Sequence, residues 1–299
     1  MNSSAKVTNA GGLIGEIKSS ASVASSKVTG STIVALSKMA GIVAYNDGDV
    51  TGATGSVTVK FTKNTASAMV AGIVAYNDGV IDGANVATTV NVQNAGDNLM
   101  IGGMAAENDG EILNSTVTGA GISVKVSSTV YIRVGGVAAV NNDTISNCNN
   151  AMKTVGTYYN SANHNVGGVA AINKGKINKV LVQSDLYGNR VAGIVVEMNN
   201  SNASINEVAV GISNGSARGL AANTIAGDKY VAGAVVVFKS GKITNLQLVS
   251  KIDGQANSAR SSLITLVFPH GATMSQVTVD SSFAGYGTKY REVDRKSVV

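Results

Sequence analysis

The sequence predicts an all-β protein, an elongated β-solenoid (β-helix) of about nine coils with a period near 31 residues. A nine-residue phrase recurs along the chain, and short runs in which β-branched residues alternate with polar ones follow the copies. Glycine and asparagine separate these runs, and no copy carries a helical period. Several short strands per period, with turn residues between them, are typical of one coil of a solenoid.

The phrase reads AGIVAYNDG at residues 40–48 and again at residues 71–79, and variants of it begin at residues 102, 135 and 167. More divergent copies begin at residues 11, 192, 232 and 262. The second positions of these copies are 29, 31, 31, 33, 32, 25, 40 and 30 residues apart. A spacing this regular predicts that each copy occupies the same place in successive coils.

Composition excludes several classes of protein. The chain has 299 residues, of which 44% are hydrophobic, and it contains one proline, so neither a disordered chain nor a collagen helix is expected. The net charge of +5 is spread without a basic run, which argues against a nucleic-acid partner. No stretch reaches the roughly 18 apolar residues of a membrane span, so direct membrane insertion is not expected. Cys148 is the single cysteine, and we expect it to be a buried or half-buried side chain in a fold without internal disulfides.

Alternation along a strand predicts which positions of the phrase face the core. Positions 1, 3 and 5 carry small or aliphatic residues and are expected to face inward, whereas position 6 varies widely and is expected to face solvent. Position 7 keeps the inward phase, yet it is asparagine in five successive copies. We therefore expect a buried ladder of stacked amides made by Asn46, Asn77, Asn108, Asn141 and Asn173.

Position 4 should face outward by the same alternation, although it is apolar throughout. Beside it, position 2 is a row of glycines from Gly12 to Gly233. A flat exposed strip of this kind predicts an interface with a second domain or a second copy of the chain, unless a loop of the same chain covers it. The strip consists of Val43, Val74, Ala105, Ala138, Ala170, Val195 and Val235.

Other side chains are candidates for binding. Tyr45 and Tyr76 should stack as an exposed pair, which is a candidate ligand platform, although such pairs are often structural. Asp47, Asp78 and Asp109 follow the ladder in successive copies and are a weak candidate for a calcium site, the favoured interpretation being an Asn-Asp-Gly turn. His164 and His270 are expected in loops, and neither begins a His-Glu-x-x-His zinc motif. No metal, cofactor or catalytic group is expected.

The phrase, with an Ile or Val two residues beyond its NDG turn, resembles the GLUG repeat. That repeat occurs in extracellular bacterial proteins, including adhesin-like surface proteins and the non-catalytic region of IgA-specific metallopeptidases. The resemblance covers residues 11–279, and it is closest in the five central copies. The chain departs from the common pattern in having Ala44, Ala75 and Ala106 at a second glycine position, which is glycine only at Gly15.

These observations predict a solenoid over residues 1–279 and a charged tail or linker over residues 280–299. The function expected is that of a non-catalytic extracellular scaffold or adhesion module of a bacterial surface or secreted protein. Its partner would be a protein or glycan on a host or neighbouring cell, or another domain of the parent protein. Two alternatives stay open: a substrate-positioning region of an IgA-specific metallopeptidase, and a β-helical polysaccharide-degrading enzyme.

Overall fold

The computed structural model describes residues 9–33, 37–62, 65–126, 130–158, 163–213, 220–267, 272–285 and 288–290. Within these ranges the protein is all-β, and its strands stack in parallel as the predicted solenoid, with about eight turns between the first and the last of nine stacked coils and a period near 31 residues. No helix long and apolar enough to cross a membrane occurs in this part of the chain.

Each coil contributes strands to four rows, and we number the coils by their row 2 strand. Row 1 leads into the phrase and contains Asn9–Gly11, Lys38–Ala40, Met69–Ala71, Leu99–Gly102, Ile132–Gly135, His164–Gly167, Arg260–Ser262 and Thr288–Tyr290. Row 2 contains Ile14–Ile17, Val43–Asn46, Val74–Asn77, Ala105–Asn108, Ala138–Asn141, Ala170–Asn173, Val195–Met198, Val235–Phe238 and Thr265–Val267.

The other two rows follow the turn at the end of the phrase. Row 3 contains Ser22–Ala24, Asp49–Thr51, Val80–Asp82, Glu111–Leu113, Thr144–Asn150, Lys176–Val182, Ser204–Val210, Gly241–Leu248 and Ala272–Val279. Row 4 contains Lys27–Ile33, Thr54–Phe61, Asn85–Gln93, Thr116–Lys125, Thr154–Thr157, Asp185–Ala192, Asn223–Ala232, Ser250–Gly254 and Ser282–Gly285. In coils 6 and 7 the row 4 strand continues into row 1 without a break. One antiparallel hairpin, Ile212–Ser213 with Leu220–Ala221, lies outside the rows.

The apolar core runs through the whole stack and includes inward residues of all four rows. Phe61 and Phe238 are its largest fully buried side chains, and most of the others are Ile, Val, Leu and Met. Because consecutive coils pair residue by residue, a side chain that faces inward in one coil stacks on its counterpart in the next.

The expected inward and outward positions of the phrase need correction. Positions 3 and 4 both face the main core, as Ile42 and Val43 do, whereas positions 1 and 5 are buried outside it in two smaller clusters. The chain bends at positions 2 and 3, so strand alternation starts afresh at position 4 instead of running through from position 1.

Glycine recurs at position 2 because neighbouring coils approach too closely there for a side chain. A Cβ atom at Gly103 would lie 2.1 Å from the carbonyl oxygen of Gly136, and one at Gly136 would lie 2.2 Å from that of Gly168. The same contact recurs up to Gly233, whose Cβ would lie 1.9 Å from the oxygen of Leu263. The last copy has Leu263 at this position.

A second recurring backbone feature is a left-handed residue that directly follows the row 3 strand in coils 1–4 and lies within that strand in coils 5–9. Every coil has one, with φ between 48° and 64°. Only glycine and asparagine adopt this conformation readily, so the other residues in this row are under strain. The nine residues are Ser25, Gly52, Gly83, Asn114, Asn147, Lys179, Glu207, Asn245 and Gln276.

The expected boundary at residue 279 also needs correction. Ser282–Gly285 pairs in parallel with Ser250–Gly254, and Thr288–Tyr290 pairs with Arg260–Ser262. These strands complete coil 9 and add one more row 1 strand, because stacking depends on register with the coil beneath and not on a copy of the phrase. Residues 291–299, which hold much of the expected charged tail, lie outside the described residues.

Candidate functional site

The five asparagines of position 7 form the predicted ladder in coils 2–6. All five are fully buried. The amide nitrogen of each of the first four donates to the side-chain oxygen of the next asparagine, over 2.7 Å from Asn46 to Asn77 and 2.8 Å from Asn141 to Asn173. From Asn77 onward each amide also lies within bonding distance of a carbonyl oxygen two residues further along its own chain, as Asn108 does with Gly110 at 2.9 Å. The ladder therefore satisfies turn groups that would otherwise be buried without a partner.

The ladder ends where the sequence changes to apolar residues. Met198 and Phe238 occupy the same register position in coils 7 and 8 and are fully buried, and Ile17 occupies it in coil 1. The corner can thus be filled by stacked amides or by stacked apolar side chains.

A second buried polar ladder, which the sequence analysis missed, lies between row 3 and row 4 of coils 5–9. The Ser184 hydroxyl donates to the Asn150 Oδ1 over 2.7 Å, and the Asn223 amide donates to the carbonyl oxygen of Ser184 over 2.8 Å. The Ser250 hydroxyl donates to the Asn223 Oδ1 over 2.7 Å, and the backbone N–H of Ser250 donates to the Ser281 hydroxyl over 3.0 Å. We call this series of hydrogen bonds the serine–asparagine ladder.

The predicted interface strip is wrong. Its seven residues are all completely buried in the main core, because the bend before position 4 turns their side chains inward. The neighbouring glycines are not an open surface either, since the backbone of the next coil covers them. The chain itself therefore covers the residues Val43, Val74, Ala105, Ala138, Ala170, Val195 and Val235.

Tyr45 and Tyr76 stack on the outside of row 2, with ring centroids 5.2 Å apart and planes inclined by 11°. Both are half-buried, and the Lys38 ammonium lies 4.7 Å and 5.0 Å from the two centroids. The Tyr76 hydroxyl donates to the carboxylate of Asp109, and burial together with Asp109 raises the pKa of Tyr76. The rings are therefore largely occupied by each other and by Lys38, which makes them a poor platform for a ligand.

The three candidate aspartates follow the ladder but do not form a cage. Asp78 is exposed, while Asp109 accepts hydrogen bonds from Tyr76 and Asn142. In the described part of the chain, no three His, Cys, Asp or Glu side chains are grouped in a way that could hold a metal ion. The backbone N–H groups of Asp47, Asp78 and Asp109 bond to the preceding coil, as expected of turn residues.

The remaining singled-out residues lie in strands or outside the described ranges. Cys148 is buried in row 3, and burial raises the pKa of its thiol to about 11. His164 is the first residue of a row 1 strand and is fully buried, so its expected place in a loop is wrong. Its register partner is Ile132, which is also fully buried. His270 lies outside the described residues.

The surface of coils 5–8 carries a groove that no part of the phrase predicted. It is a depression of about 360 Å³ on the outer side of row 4. We call it the tyrosine groove, and its lining residues are Thr157, Tyr158, Tyr187, Gly188, Thr224, Ala226, Asp228, Asp253 and Gln255. Asp228 also lines an adjoining depression of about 370 Å³, with Asn189, Lys229, Tyr230, Ala256, Ser258 and Arg260.

A second row of glycines passes beside the groove. Gly188, Gly227, Gly254 and Gly285 are in register in coils 6–9. A Cβ atom at Gly188 would lie 2.7 Å from the core side chain of Val166, so the backbone there sits directly against the core. The register also shifts directly after Gly188, so a β-bulge interrupts row 4 beside the groove.

The sequence does contain a signal for this row. An apolar residue, a variable residue and a glycine recur at residues 186–188, 225–227, 252–254 and 283–285. The spacings between these triplets are 39, 27 and 31 residues, so they do not follow the period of the phrase. The triplet becomes recognisable only when the register of row 4 is known.

Comparison of the chain with family models, with curated proteins and with solved structures found no match. The resemblance to the GLUG repeat therefore stays a prediction from the sequence.

Proposed function

We propose that this chain is a non-catalytic scaffold or adhesion module of a bacterial surface or secreted protein. The proposal rests on a contrast between the recurring residues, which make contacts between coils, and the outward residues, which vary. The ladder asparagines and the position 2 glycines recur because they make contacts between coils, whereas the outward position 6 changes from Tyr45 to Glu107 to Ile172. A rigid stack whose outer rows vary suits the display of a binding surface.

The dimensions and the cysteine chemistry agree with this proposal. Nine stacked copies at roughly 4.8 Å per coil give a rod of about 40 Å. Cys148 is buried with a raised pKa, so its thiol is protected from oxidation, and the fold does not depend on a disulfide. Both features are compatible with an oxidising exterior, and the resemblance to the GLUG repeat supports the same location.

Adhesion can be tested with beads that carry the purified chain. We expect saturable adhesion to animal cells or to immobilised extracellular polysaccharide, and we expect it to persist in salt high enough to screen surface charge. The matched control is beads that carry a globular protein of similar pI, because the pI of this chain is about 9.2. Adhesion no greater than that of the control, or adhesion abolished by salt, would contradict the proposal.

The same preparation separates the enzyme alternative. Polysaccharide incubated with the chain should show no new reducing ends and no loss of chain length. Release of such ends would replace the adhesion proposal with that of a polysaccharide-degrading enzyme.

A further inference from the structure

We propose that the tyrosine groove binds an uncharged oligosaccharide. The inference rests on the proposed function as an adhesion module and names both the ligand class and the surface that binds it. The groove crosses coils 5–8, which is three coil steps or about 14 Å, so its length suits a short chain of sugar units.

The two tyrosines of the groove differ in what covers their rings. The Lys125 ammonium lies 5.4 Å from the centroid of the Tyr158 ring, whereas no cation–ring or ring–ring contact involves Tyr187 within the described ranges. Tyr158 is 59% exposed and Tyr187 is 37% exposed, so both are among the few large apolar side chains that reach the surface. Tyr187 stands in register between Gly156 and Ala226, whose small size leaves space on both sides of its ring. Ring faces of this kind pack against the C–H faces of sugars while the hydroxyl groups remain wet.

The polar side chains of the groove provide the hydrogen bonds that sugar hydroxyls need. Asp228 and Asp253 are acceptors, Gln255 is a donor and an acceptor, and Thr224 adds a hydroxyl. Neither carboxylate takes part in an ion pair within the described ranges. A few convergent polar groups beside aromatic surface are typical of small-ligand sites.

Charge and backbone pairing argue against the other classes of ligand. Among the described residues that line the groove, Asp228 and Asp253 are the only charged ones, so phosphates, nucleic acids and acidic sugars would meet like charge. The Lys125 ammonium beside Tyr158 does not line the groove. The row 4 strands beneath the groove are paired on both sides, as Asp185–Ala192 is with Thr154–Thr157 and Asn223–Ala232. An extended peptide therefore finds no free strand edge to extend.

The test is a titration of the whole chain with neutral hexasaccharides of glucose, mannose and galactose in α and β linkages. Two of the nine tyrosines line the groove and the chain has no tryptophan, so a change in tyrosine fluorescence that is lost in Tyr187→Ala reports on the groove. Calorimetry gives an independent affinity. We expect saturable binding of at least one neutral hexasaccharide and none of hexagalacturonic acid.

Variants locate the site. Tyr187→Ala should weaken binding by about tenfold or more, and Asp228→Ala should weaken it as well, since each removes a contact at the groove. Tyr45→Ala is the matched control because it removes a tyrosine of the other candidate platform, and it should bind as the parent does. Tyr187 is partly exposed, so we expect its variant to keep the parent's melting temperature to within a few degrees.

Three results of the titration would overturn the inference: no saturation with any neutral hexasaccharide, parent affinity in folded Tyr187→Ala, or tighter binding of hexagalacturonic acid or of an extended peptide at the groove. Bead adhesion separates the two proposals. If Tyr187→Ala beads adhere as the parent beads do, the groove assignment fails while the adhesion proposal stands. If parent beads do not adhere at all, the adhesion proposal fails.

Discussion

Two buried polar ladders stabilise different parts of the stack, and they overlap only in coils 5 and 6. The asparagine ladder of coils 2–6 repeats one residue type at one corner, with each amide bonded to the next. The serine–asparagine ladder of coils 5–9 lies at another corner and alternates hydroxyl, amide and backbone partners. The polar bonding of the interior therefore moves from one corner to another along the rod.

The difference shows that a coil corner requires its buried polar groups to be satisfied, but it does not require a particular residue. Where the asparagine ladder stops, Met198 and Phe238 fill its corner, and the second ladder continues the polar bonding elsewhere. The same region carries the second glycine row and the tyrosine groove. The coils are thus most regular where the asparagine ladder makes the interior uniform, and the tyrosine groove lies where the interior is least uniform.

The largest effect should come from charging the common core of both regions. Val74 and Val195 are fully buried, one in the asparagine-ladder region and one beyond it. Either Val74→Glu or Val195→Glu should destabilise the fold by at least about 4 kcal/mol, because an unpaired carboxylate would be buried. Urea unfolding monitored by circular dichroism measures the change. Thr62→Glu, at an exposed position, is the control and should stay near the parent. A folded Val195→Glu with parent stability would mean that position 4 is not core.

The second prediction breaks the asparagine ladder alone. Asn108→Leu should cost about 1 to 3 kcal/mol, because the Asn77 amide and the carbonyl oxygen of Gly110 lose a partner inside the protein. Met198→Leu at the same corner exchanges one apolar side chain for another and should cost less than about 1.5 kcal/mol. Thermal and urea unfolding of both variants give the comparison. Equal losses would show that the corner needs only volume.

The third prediction addresses the serine–asparagine ladder. Asn223→Val and Ser250→Ala each remove one side of a 2.7 Å bond, and each should cost roughly 1 to 2 kcal/mol. The double variant should cost less than the sum, since the second change removes a group that is already unpaired. Strict additivity in this double-mutant cycle would argue that the bond contributes nothing to stability.

The sequence was sufficient for the fold and for the first ladder because both follow one period. Parallel coils place equivalent residues in register, so recurrence every 31 to 33 residues at Asn77, Asn108 and Asn141 translates directly into stacking. The second ladder could not be predicted, because 39 residues separate Ser184 from Asn223 and 27 separate Asn223 from Ser250. Loops of different length change the spacing without changing the register.

The wrong predictions have a different cause. The chain bends at Gly41 and Ile42, so strand alternation does not continue through these residues. Val43 therefore faces the core, and the predicted interface strip is part of the core. The tyrosine groove was missed for a related reason, because its residues come from four coils and converge only through the register of row 4. Chemistry that recurs with the period of the phrase is visible in the sequence, whereas chemistry whose residues are irregularly spaced in several coils needs the register.

The fourth prediction uses the strained left-handed row to compare residues that occupy the same turn. Lys179 is exposed with a φ of 52°, whereas Gly52 and Gly83 occupy the same turn without strain. Lys179→Gly should stabilise the protein by about 1 kcal/mol, because a side chain in this conformation is unfavourable. Lys176→Gly, three residues earlier in the strand and also exposed, should instead destabilise it. Denaturant midpoints that move in the same direction for both variants would contradict the assignment.

The smallest effect should come from replacing Thr88, in the asparagine-ladder region, with the valine that other coils place beneath a position 2 glycine. Thr88 packs under Gly72, and its hydroxyl has no hydrogen-bond partner within the described ranges. Val57 occupies the register position of Thr88 one coil earlier and packs under Gly41, and Val182 packs under Gly168 further along.

Thr88→Val keeps the shape and removes a buried hydroxyl, so we expect a gain of somewhat less than about 1 kcal/mol in the free energy of unfolding. Val57→Thr is the reciprocal control and should lose a similar amount. If Thr88→Val is instead less stable than the parent, the Thr88 hydroxyl has a hydrogen-bond partner, such as a bound water, that stabilises the folded protein.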